Sequence, residues 1–309
     1  MAEISAKVVK ELREITGVGM MDCKKALVEA DGDFDKAIEL LREKGLAAAA
    51  KKSSRIAAEG LVDIYYDEAT NTTVVIEVNS ETDFVAKNES FREFVKGCAI
   101  TVVKSGANTV EELLDAKFEG KDLTVAEELR EKILVIGENM TVRRFEKYVG
   151  NVVTYIHGQG QIGVMVKFDT DAETAKKAEF ITMGKDVAMQ IAAMAPAYLA
   201  KEDVPADVMD KEAEIIKAQM ASDPKFANKP AAAIDNIVKG KLNKYYEENC
   251  LLNQAFVKEN KITVEQYVKD CAKAMGAEIK VASFVKYEKG EGLEKRNDNF
   301  ADEVAGMIK

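Results

Sequence analysis

Phe84 stands beside Asp83 in NSETDFVAKNES (79–90), between a run of β-branched residues and a helical pattern. An aromatic with a carboxylate at its shoulder can pack beneath the next helix, the plainer reading of such a residue. It can also be held out as an apolar peg with a polar flank for another molecule. His157, the single histidine, lies in VVTYIHGQGQIG with no acid in its local sequence. Lacking an orienting partner and a nucleophile, it reads as a turn residue at a strand end rather than a general base. Cys23, Cys98, Cys250 and Cys271 are far apart and form no Cys-x-x-Cys, the spacing of reduced, mostly buried thiols rather than of disulfides or a zinc site. GQGQIG (158–163) matches G-x-G-x-x-G, but VMVKF follows it. The dinucleotide fingerprint needs a helix to open there, so a glycine-rich hairpin turn explains the match. No metal or other cofactor is expected.

The elements that position these residues belong to a chain of 309 residues, long enough for two or more domains. With 44 basic against 54 acidic residues and a net charge of −10, direct binding of a nucleic-acid backbone is not expected. No stretch approaches the roughly 20 apolar residues that span a bilayer, and MAEISAKVVKEL reads as an amphipathic helix rather than a signal peptide. The expectation is a cytoplasmic protein without a membrane partner.

Residues 1–45 divide into three short helices. Ser5 caps the first, which TGVG ends; the second runs from Asp22 to the break at DGD; Asp33 caps the third, with Gly45 just past its end. LAAAAKKSSR (46–55) reads as a helical or flexible linker. From Gly60 the period becomes that of strands: LVDIYY and TVVIEV form a hairpin, and SFREFVKGCAITVV is a helix with a Ser90–Glu93 capping box. A shift of 90 places Gly60 on Gly150, Val62 on Val152, Tyr65 on Tyr155 and Val74 on Val164, which suggests an internal repeat. The second copy has TDAETA where the first has SETDFV, with acids but no aromatic. Pro205 and Pro230 each open an amphipathic helix, one carrying Val208, Ile215, Ile216 and Met220, the other Ile234, Ile237, Val238, Leu242 and Tyr245. These should fold back as an antiparallel hairpin.

The expected fold is therefore α+β. It has a three-helix unit at 1–45, a linker at 46–55 and a core subdomain at 56–145. A second core subdomain takes 146–201 and 259–290, a helical hairpin 202–258, and a C-terminal helical module 291–309.

LREITGVGMMDCKKAL (12–27) and EVNSETDFVAK (77–87) resemble the signatures of bacterial elongation factor Ts. EGLVDIY, YIHGQGQIGV, AMQIAAM, CLLNQAFVK and GEGLEKRNDNFADEV extend the likeness over the chain, with Asp186 where some members carry His and with Ser53 and Ser54 varying the linker. The resemblance implies a guanine-nucleotide exchange factor, not an enzyme, that binds elongation factor Tu in its GDP-bound and nucleotide-free states. It implies that Thr82, Asp83, Phe84 and Val85 reach the partner's magnesium site. It further implies that the N-terminal unit, similar to a ubiquitin-associated domain, rests on the partner, with Arg13, Met20 and Met21 as contacts. Met20 and Met21 are read as lying in a turn, where paired apolar side chains are costly without a partner or a core. The hairpin would stand out from the body, and whether it pairs with a second copy is left open. The rival reading is a non-catalytic adaptor that uses its N-terminal helices to bind proteins, which leaves TDFV unexplained.

Overall fold

A computed structural model describes residues 4–294 apart from 224 and 227–229. The expected terminal helix, within 291–309, falls almost wholly on 295–309 and so lies outside the described residues. The fold is α+β.

The first three helices are α1 (Ala6–Thr16), α2 (Met20–Glu29) and α3 (Phe34–Lys52). The Ser5 hydroxyl accepts from the Val8 amide, and the Asp33 carboxylate accepts from the Lys36 amide at 3.0 Å. Gly17, in the left-handed region at φ 68°, ends α1 by donating its N–H to the Arg13 carbonyl. Val9, Leu12, Cys23, Leu27, Ala37 and Leu41 form the shared core. Two expectations are corrected here. Met20 and Met21 are not in a turn but open α2, and Gly45 does not end α3. Gly45 is buried inside the helix, where a Cβ would come within 3.6 Å of the Arg130 carbonyl oxygen. The following Leu-Ala-Ala-Ala-Ala run has the highest helix propensity in the chain's vocabulary, which offsets the roughly 1 kcal/mol that one glycine costs. Most of the expected linker is thus the last turns of α3.

By its contacts the chain divides into two compact units. Among the described residues, the first comprises those within Met1–Lys147, Gly158–Ile162 and Tyr287–Lys309. Here β1 (Glu59–Asp67) and β2 (Thr72–Ser80) pair antiparallel from Glu59↔Ser80 to Asp67↔Thr72. Then come α4 (Asp83–Ala86), α5 (Glu89–Ser105), α6 (Val110–Asp115), α7 (Val125–Ile136) and most of β3 (Met140–Val149), which lies on the free side of β2. The central strand is buried along its whole length. Phe91, Phe94, Val95, Cys98 and Val102 of α5 join Val74, Ile76 and Val78 in the core. Asn88, not the Ser90–Glu93 pair, caps α5, its side chain accepting from the Phe91 amide at 3.3 Å. The Ser90 hydroxyl instead accepts from the Lys132 ammonium at 2.7 Å.

The second unit, Tyr148–His157 and Gly163–Lys286, repeats this order. It contains β4 (Val152–His157), most of β5 (Ile162–Asp169), α8 (Ala172–Ala175) and α9 (Ala178–Met194). After these come α10 (Ala206–Ser222), α11 (Ala231–Asn249), the short pair β6 (Ala255–Phe256) and β7 (Glu259–Thr263), α12 (Val264–Met275) and most of β8 (Lys280–Glu288). Strand β5 lies between β4 and β8 as β2 lies between β1 and β3. Gly60 and Gly150 both take positive φ, 113° and 111°. From the short helix onward the offset is 89 rather than 90: α4 matches α8, and Phe91 and Val102 of α5 match Phe180 and Ile191 of α9, all buried. Ile216, Met220 and Val238 form the seam of α10 on α11. Ile215, expected in that stripe, is half exposed, because one residue turns a helix by about 100°.

Candidate partner-binding site

Four residues expected to act together, Thr82 to Val85, form the entrance and first turn of α4. Val85 is buried in the first unit's core, only 6% exposed, and Phe84 beside it is 78% exposed. The plainer reading of Phe84, packing beneath the next helix, is therefore corrected. Helical geometry accounts for the split, since adjacent side chains point about 100° apart. The repeat agrees: Glu173 occupies the place of Phe84 on α8 and is exposed, whereas Thr174 occupies the place of Val85 and is buried. The scaffold wants a buried residue at the second of these positions only.

The peg has a polar flank. Asp83 accepts from the Lys87 ammonium at 2.7 Å, and the same ammonium lies 5.7 Å from the centre of the Phe84 ring. The hydrogen bond from Lys87 holds the Asp83 carboxyl below its ordinary range. Arg92 closes the other end of the turn, its Nε donating to the Ala86 carbonyl at 3.0 Å. At the entrance, the Thr82 hydroxyl makes no cap bond to its own helix. Instead the Glu138 carboxylate accepts from the Thr82 N–H at 3.0 Å and from its hydroxyl at 2.6 Å. Lys87, Arg92 and Glu138 escaped the sequence reading. The spacing of Asp83 and Lys87, four apart, signals a helical pair, but nothing local signals Glu138.

Arg13, Met20 and Met21 belong to other elements, the last turn of α1 and the first of α2. All three are exposed, Met21 to 62% and Met20 to 42%. Neither methionine is part of the three-helix core.

The central strand of the first sheet carries an ionic cluster centred on one buried carboxylate. Glu77, fully buried on β2, accepts from the Gly290 amide at 2.8 Å, Asn79 at 3.0 Å, Arg143 at 2.9 Å and Arg144 at 2.6 Å. Burial alone would raise its pKa, but the bonds from Gly290, Asn79, Arg144 and Arg143 outweigh burial and leave it lowered. Arg144 also stacks over the Tyr287 ring at 4.2 Å and pairs with Glu291. The cluster ties residues 287–291 to the strand that leads into α4.

The remaining chemical candidates take structural places. His157 ends β4, its Nδ1 3.0 Å from the Tyr155 hydroxyl. The first four residues of GQGQIG, 158–161, are the turn between β4 and β5, with Gly158, Gln159 and Gly160 all at positive φ. The four cysteines are free, and burial pushes the Cys98 thiol far up. Asp186 accepts from Lys258 at 2.6 Å and from the Tyr267 hydroxyl at 2.8 Å within the second unit. Among the described residues no group of three or more His, Cys, Asp or Glu side chains could hold a metal ion. No helix among them is long and apolar enough to cross a membrane.

The family model described as elongation factor TS matches residues 81–291. An elongation factor Ts of Clostridioides difficile (strain 630) is 49% identical over 311 aligned residues, covering 100% of each chain. One from Clostridium kluyveri (strain NBRC 12016) is 49% identical over 99% of each chain. One from Clostridium perfringens (strain 13 / Type A) is 50% identical over 98% of this chain and 99% of its own.

Proposed function

The chain belongs to the elongation factor Ts family of translation elongation factors, and from that premise we propose that it is the guanine-nucleotide exchange factor of elongation factor Tu, working in the cytoplasm without covalent chemistry of its own. The observation that carries this reading is Phe84, a large apolar side chain held out on a short helix whose next residue is anchored in the core.

Magnesium requires near-ideal octahedral oxygen coordination and bridges nucleotide phosphates, so shifting one supporting element of the partner by an ångström or so weakens its hold. Burying a phenylalanine side chain is worth about 1.5–3 kcal/mol. That gain is available to Phe84 only where the partner opens a pocket, so it favours the opened state over the closed one. Asp83 presents a carboxylate beside the peg, placed to repel phosphate or to recruit polar groups of the partner. Linkage then requires that a factor which weakens nucleotide binding is itself bound less tightly when nucleotide returns. The N-terminal helices, read as a ubiquitin-associated-like module, hold the partner through Arg13, Met20 and Met21. The α10–α11 hairpin, read as a short coiled coil, takes no part in the displacement.

The test is direct. Elongation factor Tu is loaded with a fluorescent GDP and the release rate is followed as the protein is added. Acceleration at substoichiometric amounts supports the reading, and a release rate indifferent to the protein overturns it.

A further inference from the structure

A helix of four residues is too short to hold itself together, because nucleation fixes several dihedrals for very few hydrogen bonds. The two copies of the repeat meet this need differently. In α8 the preceding Asp171 caps its own helix, one carboxylate oxygen accepting from the Glu173 and Thr174 amides at 3.0 and 2.9 Å. In α4 the preceding residue is Thr82, a good capping type, yet its hydroxyl donates outward to Glu138.

Glu138 is aimed by its surroundings. Gly137, in the left-handed region at φ 87°, ends α7 and donates its N–H to the Ile133 carbonyl. On the far side, Asn139 donates its N–H to the Glu81 carboxylate at 2.6 Å and its side-chain amide to the Arg55 carbonyl at 2.8 Å. Two adjacent pairs, Glu81–Thr82 and Glu138–Asn139, thus each offer a carboxylate to a backbone N–H of the other. The Ser80 hydroxyl adds a bond to the Thr82 carbonyl at 3.0 Å. The peg's entrance is gripped from outside its own helix, by the segment joining α7 to β3.

We infer that Glu138 is the positioning residue of the Phe84 peg, gripping Thr82 at two points so that α4 meets the partner already formed. This rests on the exchange reading given above. A loose peg would have to be ordered at the moment of insertion, and that cost would fall on the opened state, lowering the maximal rate more than the affinity of the first encounter.

The experiment compares the full chain with E138A and E138Q. Amide hydrogen exchange of the free proteins is measured at residues 82–87, with β1 and α5 as internal controls, beside catalysed GDP release from elongation factor Tu. E138A removes both grips, so exchange at 82–87 should rise about tenfold and the maximal release rate should fall several-fold, roughly the scale of a charge-assisted hydrogen bond. E138Q should stay near the parent in both, since its amide oxygen can accept from the Thr82 N–H while its NH2 donates to the Thr82 hydroxyl. Three results overturn the inference: parent-like exchange at 82–87 in E138A, faster exchange spread equally over β1 and α5, or E138Q as impaired as E138A. Should the parent itself fail to release GDP, the exchange reading falls, while the amide measurement still decides whether Glu138 holds the turn.

Discussion

Val85 is locked into the core of the first unit while Phe84, one residue earlier in the same helical turn, stands in solvent. The buried neighbour fixes the direction of the exposed one, so the two should respond to truncation in opposite ways. Phe84→Ala should slow catalysed GDP release by roughly 30-fold, the equivalent of an aromatic anchor worth about 2 kcal/mol, and leave the thermal midpoint within a few degrees of the parent. Asp83→Ala should slow release less. Val85→Ala should cost about 1–3 kcal/mol of stability. Release assays and thermal melts on all three variants check this, and a ten-degree loss in Phe84→Ala with normal release would make Phe84 a core residue after all.

Met20 and Met21 sit exposed on the first turn of α2. Replacing both with alanine should weaken binding to elongation factor Tu by about tenfold or more, in proportion to the apolar surface removed. The melting curve should be unchanged. A titration giving parental affinity would show that these side chains are not partner contacts.

Glu77 supplies a pH dependence. Its carboxyl titrates below the ordinary range in the folded chain, so its contribution is complete above the ordinary carboxylate value of about 4.3 and disappears as pH falls through the lowered value. Glu77→Gln should destabilise the first unit by roughly 3 kcal/mol at neutral pH, since two arginines are left facing a neutral amide. The difference from the parent in urea midpoint should shrink as pH drops below the ordinary carboxylate range. A gap independent of pH would mean that packing, not charge, is what the substitution removes.

The hairpin should be dispensable for release, but where it is cut matters. Replacing Ala213–Leu242 with a short glycine-serine linker leaves the base of both helices in place, and catalysed release should remain within about twofold of the parent, the spread expected of independent sites. Removing 202–258 as one block also removes Gln254, whose carbonyl accepts from Gln190, and Lys258, which pairs with Asp186. That longer deletion should melt earlier. Loss of release in the shorter one, with the melt preserved, would place part of the active surface on the hairpin.

Local patterns carried much of this fold. Ser5 and Asp33 announced their helices because a capping side chain acts within three residues, and Gly60 with Gly150 announced the repeat because both need positive φ. Misreadings came where a local signal was overruled. Gly45 looks like a stop, but the alanine run behind it carries α3 on, and Ser90–Glu93 looks like a capping box, but the helix opens at Glu89 with Asn88 as its cap, so Ser90 already lies inside it. For the site, the TDFV run was visible and its exposure was not, since the same aromatic would look identical if buried. Glu138 could not have been found, because its hydrogen bonds to Thr82 span 56 residues of sequence.

Helix α3 passes without interruption from the N-terminal core to Lys52, whose ammonium donates to the Ile133 carbonyl near the end of α7. Its 19 residues make a stiff arm about 28 Å long. A flexible joint at that place would have left the methionine-bearing helices and the peg as two tethered ligands, the second limited to the millimolar effective concentration that a short tether provides. A continuous helix removes that search, so under the proposed exchange function the arrival of one of these surfaces would largely set the orientation in which the other arrives.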